Sequence, residues 1–213
     1  MSAPEPSRSR PRPAGLAVLR GHWRARRTND AQGQALVEFV TVLLPLMFVV
    51  LAIVQFGLLF GANVTLTNAA REGARAGTIY IYDQGHTKDW NDGHRCFAIL
   101  QAVTQSFGLL SPSAPNFSVT TTGGDSCQTN TGDKQVNGDL TVAYCSWVAS
   151  NSSSCPDGND LTTFCTLDTR TSCLVQVTLV YRSDIIVPLI GQVLARDTNG
   201  RFVQRVSATM VVN

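Results

Sequence analysis

The apolar residues of this chain are concentrated near one end. From Phe39 to Ala62, 24 consecutive residues include no Asp, Glu, Lys, Arg or His, and about 20 suffice to cross a hydrocarbon core. Asn63 to Ala76 then continues without proline and keeps small or apolar residues at i, i+3 and i+4 spacing, the period of one helix face. The pattern predicts one long helix from about Ala35 to Ala76, its first part in lipid and its second part projecting outside. Pro45 lies in the lipid part and should bend it, because it removes one backbone hydrogen bond. A secretory signal has an apolar core of only about 7–15 residues. This run is longer, so a single-pass anchor is expected.

Beyond the helix the periods change. His94 to Phe107 reads as a second helix, with Phe97, Leu100, Val103 and Phe107 near helical spacing. Ser111 to Thr171 is rich in Ser, Thr, Asn, Gly and Asp, which predicts surface loops around short strands near Phe117–Thr122 and Leu140–Val148. Cys173 to Tyr181 alternates as a strand, with Cys173, Val175, Val177 and Leu179 on one face. Ile185 to Ala195 reads as an apolar turn or short helix around Pro188. Phe202 to Val212 is a last strand whose Phe202, Gln204, Val206, Ala208, Met210 and Val212 share a face. Helices first and strands afterwards give an α+β class with a small antiparallel sheet. No internal repeat is present.

Charge sharpens the topology. Residues 1–33 hold seven arginines against Glu5 and Asp30, a balance of +5, whereas residues 34–213 balance at −3. A basic tail before an apolar span places the N-terminus in the cytoplasm. The arginines lack interleaved aromatics and a folded scaffold, so topology explains them without a nucleic acid. Glu38 is the exception that needs a reason: a lone carboxylate at the mouth of a membrane-length helix, five residues past Gly33. An ionisable group in lipid costs roughly 2.5–3.5 kcal/mol at the helix centre and less near its end. Glu38 therefore sits at headgroup level, near Arg26 and Arg27, or has a cationic partner.

All six cysteines (Cys96, Cys127, Cys145, Cys155, Cys165 and Cys173) follow the apolar span. An even number on one side of a membrane reads as up to three disulfides in an oxidising compartment, with 15 pairings open. No CxxC pair occurs, so zinc is not expected. Asp83, His86, Asp89, Asp92 and His94 form the one local cluster with metal-like chemistry, yet Gly85, Asn91 and Gly93 mark turns there and the spacing matches no defined loop. No metal or other cofactor is expected. Neither a Gly-x-Ser-x-Gly elbow nor a phosphate loop is present, and the chain does not read as an enzyme.

Gly33-Gln34-Ala35-Leu36-Val37-Glu38-Phe39, the apolar helix with Pro45, Gln55-Phe56-Gly57 and Asn68-Ala69-Ala70-Arg71-Glu72-Gly73-Ala74-Arg75 resemble the TadE-like family, and Ser207-Ala208-Thr209-Met210 is similar to how such proteins close their final strand. Those proteins are minor pilin-like components (pseudopilins) of tight-adherence, or Flp-type, type IV pilus systems. The resemblance implies cutting between Gly33 and Gln34 by a membrane-embedded prepilin peptidase, a transient partner, which makes Glu38 the fifth mature residue. The new amine at Gln34 could then pair with Glu38 of a neighbouring subunit and set the axial register. This chain has Phe39 where major pilins usually carry tyrosine, and it keeps a head of about 135 residues, which points to a low-copy assembly role. The implied division is a basic cytoplasmic leader (1–33), a pilin-like helix (34–77, in lipid at about 39–62) and an extracytoplasmic α+β head (78–213) with disulfide-stapled loops. The implied setting is the bacterial cytoplasmic membrane or the pilus itself, among lipid, other pilin-like subunits and the assembly platform. The rival readings are an uncleaved surface protein whose head mediates adhesion and a membrane-tethered metalloprotein.

Overall fold

The computed structural model of the chain describes residues 27–120, 127–130, 134–146, 165, 167, 169–187, 194 and 197–212. A single helix, α1, runs over Arg27–Thr78 and continues through Pro45. It begins before the predicted Ala35. The second helix, α2, covers Lys88–Gln105 and also starts earlier than the apolar spacing predicts. Its start is set by capping: the Thr87 side chain accepts from the Trp90 N–H at 3.3 Å, satisfying a donor that the first turn leaves without a partner. Asn91, inside α2 rather than at a turn, is buried and donates to Asp83 O while accepting from Asp83 N. One amide thus closes the 83–91 loop.

Five strands follow among the described residues: β1 (Gln128–Asn130), β2 (Lys134–Asn137), β3 (Leu140–Ser146), β4 (Cys173–Ser183) and β5 (Phe202–Val211). They form one antiparallel sheet in sequence order, so the α+β class with a small antiparallel sheet holds. In register, Val142 faces Val177, Leu140 faces Leu179, and Val206 faces Leu179 from the other side. The predicted faces of β4 and β5 are the ones that turn inward.

Two expectations are corrected. Phe117–Thr120 is not a strand, and Thr121 and Thr122 lie outside the described residues. Side chains hold this segment instead. The Ser118 N–H donates to Asp139 Oδ2 and the Thr120 N–H to Asn137 Oδ1, while Asn137 Nδ2 donates back to Thr120 O. The hairpin between β2 and β3 makes this possible. Gly138 adopts φ +59°, and a Cβ there would lie 1.9 Å from Ser118 O, so both the turn and the close approach require glycine. The second correction is that β1 and β2 fall in a region read only as loop. Of the other expected elements, Trp147 and Val148 lie outside the described residues, as does most of Ile185–Ala195.

The core lies between one face of the sheet and two helical surfaces. Leu66, Ala69, Ala70 and Ala74 of α1, with Cys96, Ile99 and Val103 of α2, pack on Val142, Tyr144, Val175, Val177 and Leu179. Phe107 meets Phe117 and Tyr181 edge-on, at 5.0 and 5.9 Å between ring centroids. Burying each large side chain contributes about 1.5–3 kcal/mol. Cys96 is bonded to Cys127 and Cys165 to Cys173, so α2 is tied to the start of β1 and the chain before β4 to β4 itself. Cys145 is disulfide-bonded as well, and Cys155 lies outside the described residues.

Small residues let α1 come this close. A Cβ on Gly73 would lie 2.6 Å from Val103 Cγ2, and one on Gly77 would lie 2.9 Å from Ile99 Cδ1. At Gly57 and Gly61, in the same helix, a Cβ would meet nothing within 4 Å. Gly73→Leu should therefore lower head stability by about 1–3 kcal/mol or more through overpacking. Gly57→Ala should leave it unchanged or raise it by up to about 1 kcal/mol through helix propensity. Thermal unfolding of the two variants in detergent checks the contrast, and equal melting temperatures would refute it.

Candidate functional site

The site is built on α1, because that helix carries apolar surface the fold does not use. From Leu36 to Val54 every Leu, Val, Ile, Phe and Met is at least 37% exposed. These 19 residues span about 28 Å at 1.5 Å per residue, close to a hydrocarbon core of about 30 Å. Soluble monomers rarely expose contiguous apolar patches beyond a few hundred Å². This surface requires lipid or other helices around it, and the helix is long and apolar enough to cross a membrane.

Its use by the fold starts at Gln55. That side chain is 1% exposed, and its Oε1 accepts from the Ile186 N–H at 2.9 Å. One turn later, Gln204 Nε2 of β5 donates to Leu59 O at 2.8 Å, and Ser183 Oγ of β4 donates to Gln204 Oε1 at 3.3 Å. Gln55, Leu59, Ala62 and Leu66 are buried in succession at i+3 and i+4 spacing, one face of a helix. The apolar run extends to Ala62 in sequence, but protein covers one of its faces from Gln55 onward. Sequence reading did not single out Gln55 as a structural residue. The available signal was a primary amide inside an apolar run, which demands a hydrogen-bond partner.

At the other end, Gln34 Nε2 donates to Glu38 Oε1 at 3.1 Å, and both side chains are exposed. Phe39 beside them is 63% exposed. Gly33 lies within α1, and a Cβ there would meet nothing within 4 Å. Glycine in a helix interior costs about 1 kcal/mol relative to alanine. Among the described residues, neither packing nor backbone geometry asks for glycine at that position.

The Asp83–His94 residues do not converge. His86 Nδ1 lies 2.9 Å from Asp83 Oδ2 on the surface, and the Gly85 amide and His86 hold the Asp83 carboxyl below its usual range. His86 and His94 stack on opposite faces of Trp90, with ring centroids at 3.8 and 3.7 Å, and His94 Nδ1 lies 2.9 Å from Trp90 O. Asp89 is exposed. Among the described residues no group of three or more His, Cys, Asp or Glu could hold a metal.

Asp92 has a different task. It is buried and receives Arg170 through Nη2 to Oδ2 at 2.6 Å and Nε to Oδ1 at 3.3 Å, a fork that also donates from Nη1 to Cys165 O. Arg95, equally buried, donates to Thr169 O at 3.3 Å. Both guanidinium groups lie over the Tyr144 ring, at 4.4 Å for Arg170 and 5.6 Å for Arg95, where the ring face attracts cations. Burial pushes the Tyr144 hydroxyl well above its ordinary pKa, so it stays neutral. This cluster ties α2 to the segment before β4, 78 residues away.

A family model described as TadE-like protein matches residues 33–75, the segment that holds Gly33, Glu38, Gln55 and Gly73. The match bears out the resemblance read from the motifs. The matched family suggests involvement in a tight-adherence, Flp-type pilus system. The long apolar helix fits a single-pass membrane protein of such a system. Comparisons with curated proteins and with solved structures gave no match.

Removing one partner from a buried ion pair costs about 3–5 kcal/mol, because the other charge is left buried alone. Asp92→Ala is expected to destabilise the head by that order, whereas Asp89→Ala should fall within about 0.5 kcal/mol, as exposed substitutions do. Denaturant unfolding of the two variants measures the difference, and near-equal midpoints would contradict it.

Proposed function

We propose that this chain is a pseudopilin-like minor component in the assembly of a Flp-type, tight-adherence pilus or a related secretion apparatus. The observation that carries the reading is the coincidence of the TadE-like match at residues 33–75 with the helix whose apolar side chains are exposed from Leu36 to Val54. Residues 1–33 act as a basic cytoplasmic leader, 34–77 as the pilin-like helix, and 78–213 as the extracytoplasmic head. The peptidase cuts between Gly33 and Gln34. A glycine that packing does not require is what a recognition role leaves behind, since a small residue before the cut keeps the backbone accessible.

Cleavage gives Gln34 an α-ammonium at membrane depth. Among the described residues of the uncut helix, Glu38 accepts from the neutral Gln34 amide. In an assembly, its carboxylate pairs with the Gln34 amine of an adjacent subunit, which offsets a desolvation penalty neither charge could bear alone. A slipped subunit leaves a charge without a partner, so the pair selects one axial register. Phe39, exposed beside it, packs against the neighbouring helix. Gly57 and Gly61, four apart and open on their outer side, let a second apolar helix approach closely.

Two outcomes test this. The N-terminal sequence and intact mass of membrane-extracted protein should begin at Gln34 only in cells that contain prepilin peptidase. A chain that keeps residues 1–33 in both strains would favour the uncleaved surface anchor. Glu38→Ala should insert normally in the membrane yet reduce pilus number by tenfold or more, the scale set by losing about 1.4 kcal/mol or more per contact. Wild-type pilus numbers with that variant would remove the register role.

A further inference from the structure

Where α1 first becomes covered, the head presents an apolar surface of its own. Leu109, at the tip of the turn that follows α2, is fully exposed (105%), and Ile186, just past β4, is 68% exposed. Ile186 is held at this level of the helix by its N–H bond to Gln55. Beside Leu109 a groove of about 260 Å³ is lined on its apolar side by Leu58, Leu59 and Ala62 of α1 and by Leu109, Leu110 and Tyr181 of the head. Leu58 and Phe60 of α1 are themselves 53% and 72% exposed. Asn116, Ser183 and Asp184 line the head side of the groove as well, so its apolar wall is the α1 side together with Leu109, Leu110 and Tyr181.

The charges beside this surface are paired. Arg201 Nε donates to Asp184 Oδ1 at 2.7 Å, and Asn116 Nδ2 donates to Asp184 Oδ2 at 3.1 Å. Arg182 Nη1 donates to Asp139 Oδ2 at 2.5 Å. Arg201 and Asn116 hold the Asp184 carboxyl below its usual range, and Asp139 raises Arg182. Matched charges around an apolar rim suit the headgroup region, where a polar group needs a partner as water thins out. Gln55, buried and bonded in the chain, removes the polar group on α1 that would otherwise oppose lipid at this depth.

We infer that the base of the head is seated in the bilayer interface, with Leu109 and Ile186 inserted among phospholipid acyl chains and the groove beside Leu58 taking up a chain segment. This rests on the membrane-anchored reading of α1. The occupant is phospholipid because Leu109 and Ile186 lie beside Gln55, Leu58 and Ala62, where the exposed apolar stretch of a membrane-length helix meets the head. The seating fixes the depth of the head, so the position of α1 along the membrane normal is set by the protein surface as well as by helix length.

The test places the photo-crosslinker p-benzoylphenylalanine, one site at a time, at Leu109, Ile186, Phe48 and Thr171 of the full chain in native bacterial membranes. Thr171 is exposed and precedes β4, at the end of that strand opposite Ser183 and Ile186. Adducts are identified by mass as phospholipid or protein. Phospholipid adducts at 109 and 186, at least about tenfold above the level at 171, are the expected result (a tenfold difference corresponding to about 1.4 kcal/mol). Protein adducts at 109 and 186 would overturn the inference in favour of a subunit contact, and absence of any adduct there would overturn it in favour of a head clear of the membrane. Phe48 separates the two levels: lipid adducts at 48 without lipid adducts at 109 refute only the seating, whereas no lipid adduct at 48 refutes the membrane anchor itself.

Discussion

A buried primary amide inside an apolar run must find a partner, and in this chain that requirement fixes how α1 meets the sheet. Gln55 accepts from the Ile186 N–H, and Gln204 donates to Leu59 O one turn further on. Each bond alone contributes only about 0.5–1.5 kcal/mol, but breaking one leaves a buried polar group without a partner, at about 1–3 kcal/mol. The two bonds therefore act as a register lock. A shift of one helical turn moves α1 by about 5.4 Å and takes Gly73 and Gly77 away from Val103 and Ile99, whose methyl groups occupy the space a Cβ would need. Hydrogen bonds at one end and glycines at the other select the same alignment.

That alignment divides the helix by chemistry. Before Gln55 the large apolar side chains stay exposed, and after it one face becomes core. The alanines and glycines of the second half suit close packing, which large residues would prevent. The large residues of the first half suit an environment with no fixed shape, such as lipid, or the side of another helix. One helix carries both patterns, and no glycine-proline linker separates them.

The elements legible in the sequence were those whose burial falls on one face. Strands β4 and β5 alternate cleanly, and the second half of α1 keeps helical spacing, because each meets the core from one side. Strands β1 and β2 were not legible: they are three and four residues long, polar, and held by a hairpin and by Cys96–Cys127 rather than by apolar alternation. Phe117 and Val119 alternate like a strand, yet the donors that hold this segment are partnered by Asp139 and Asn137, which a local pattern cannot reveal. The role of Asp92 was not legible for the same reason: among His86, Asp89 and His94 nothing local marks it, and only the distant Arg170 shows it to be half of an ion pair. The Gly33 and Glu38 signals were visible because they consist of one residue type in the wrong company, which needs no tertiary knowledge.

The magnitudes at Glu38 decide what kind of explanation it needs. Its contact among the described residues is an exposed i, i+4 bond from Gln34, and such pairs are worth about 0.2–0.5 kcal/mol. A carboxylate deep in lipid costs roughly 2.5–3.5 kcal/mol, so the local bond cannot sustain a deep position. Either the helix end stays at headgroup depth, where the cost falls toward zero, or a cation supplies the difference. The first option makes no demand for a carboxylate, since glutamine would occupy that depth at less cost. The second demands a carboxylate at a fixed distance from a cation, and under the proposed cut after Gly33 the released amine would stand four residues away on the same helix. One turn of helix would then carry both halves of an intermolecular pair, each too costly to bury alone, and association would relieve them.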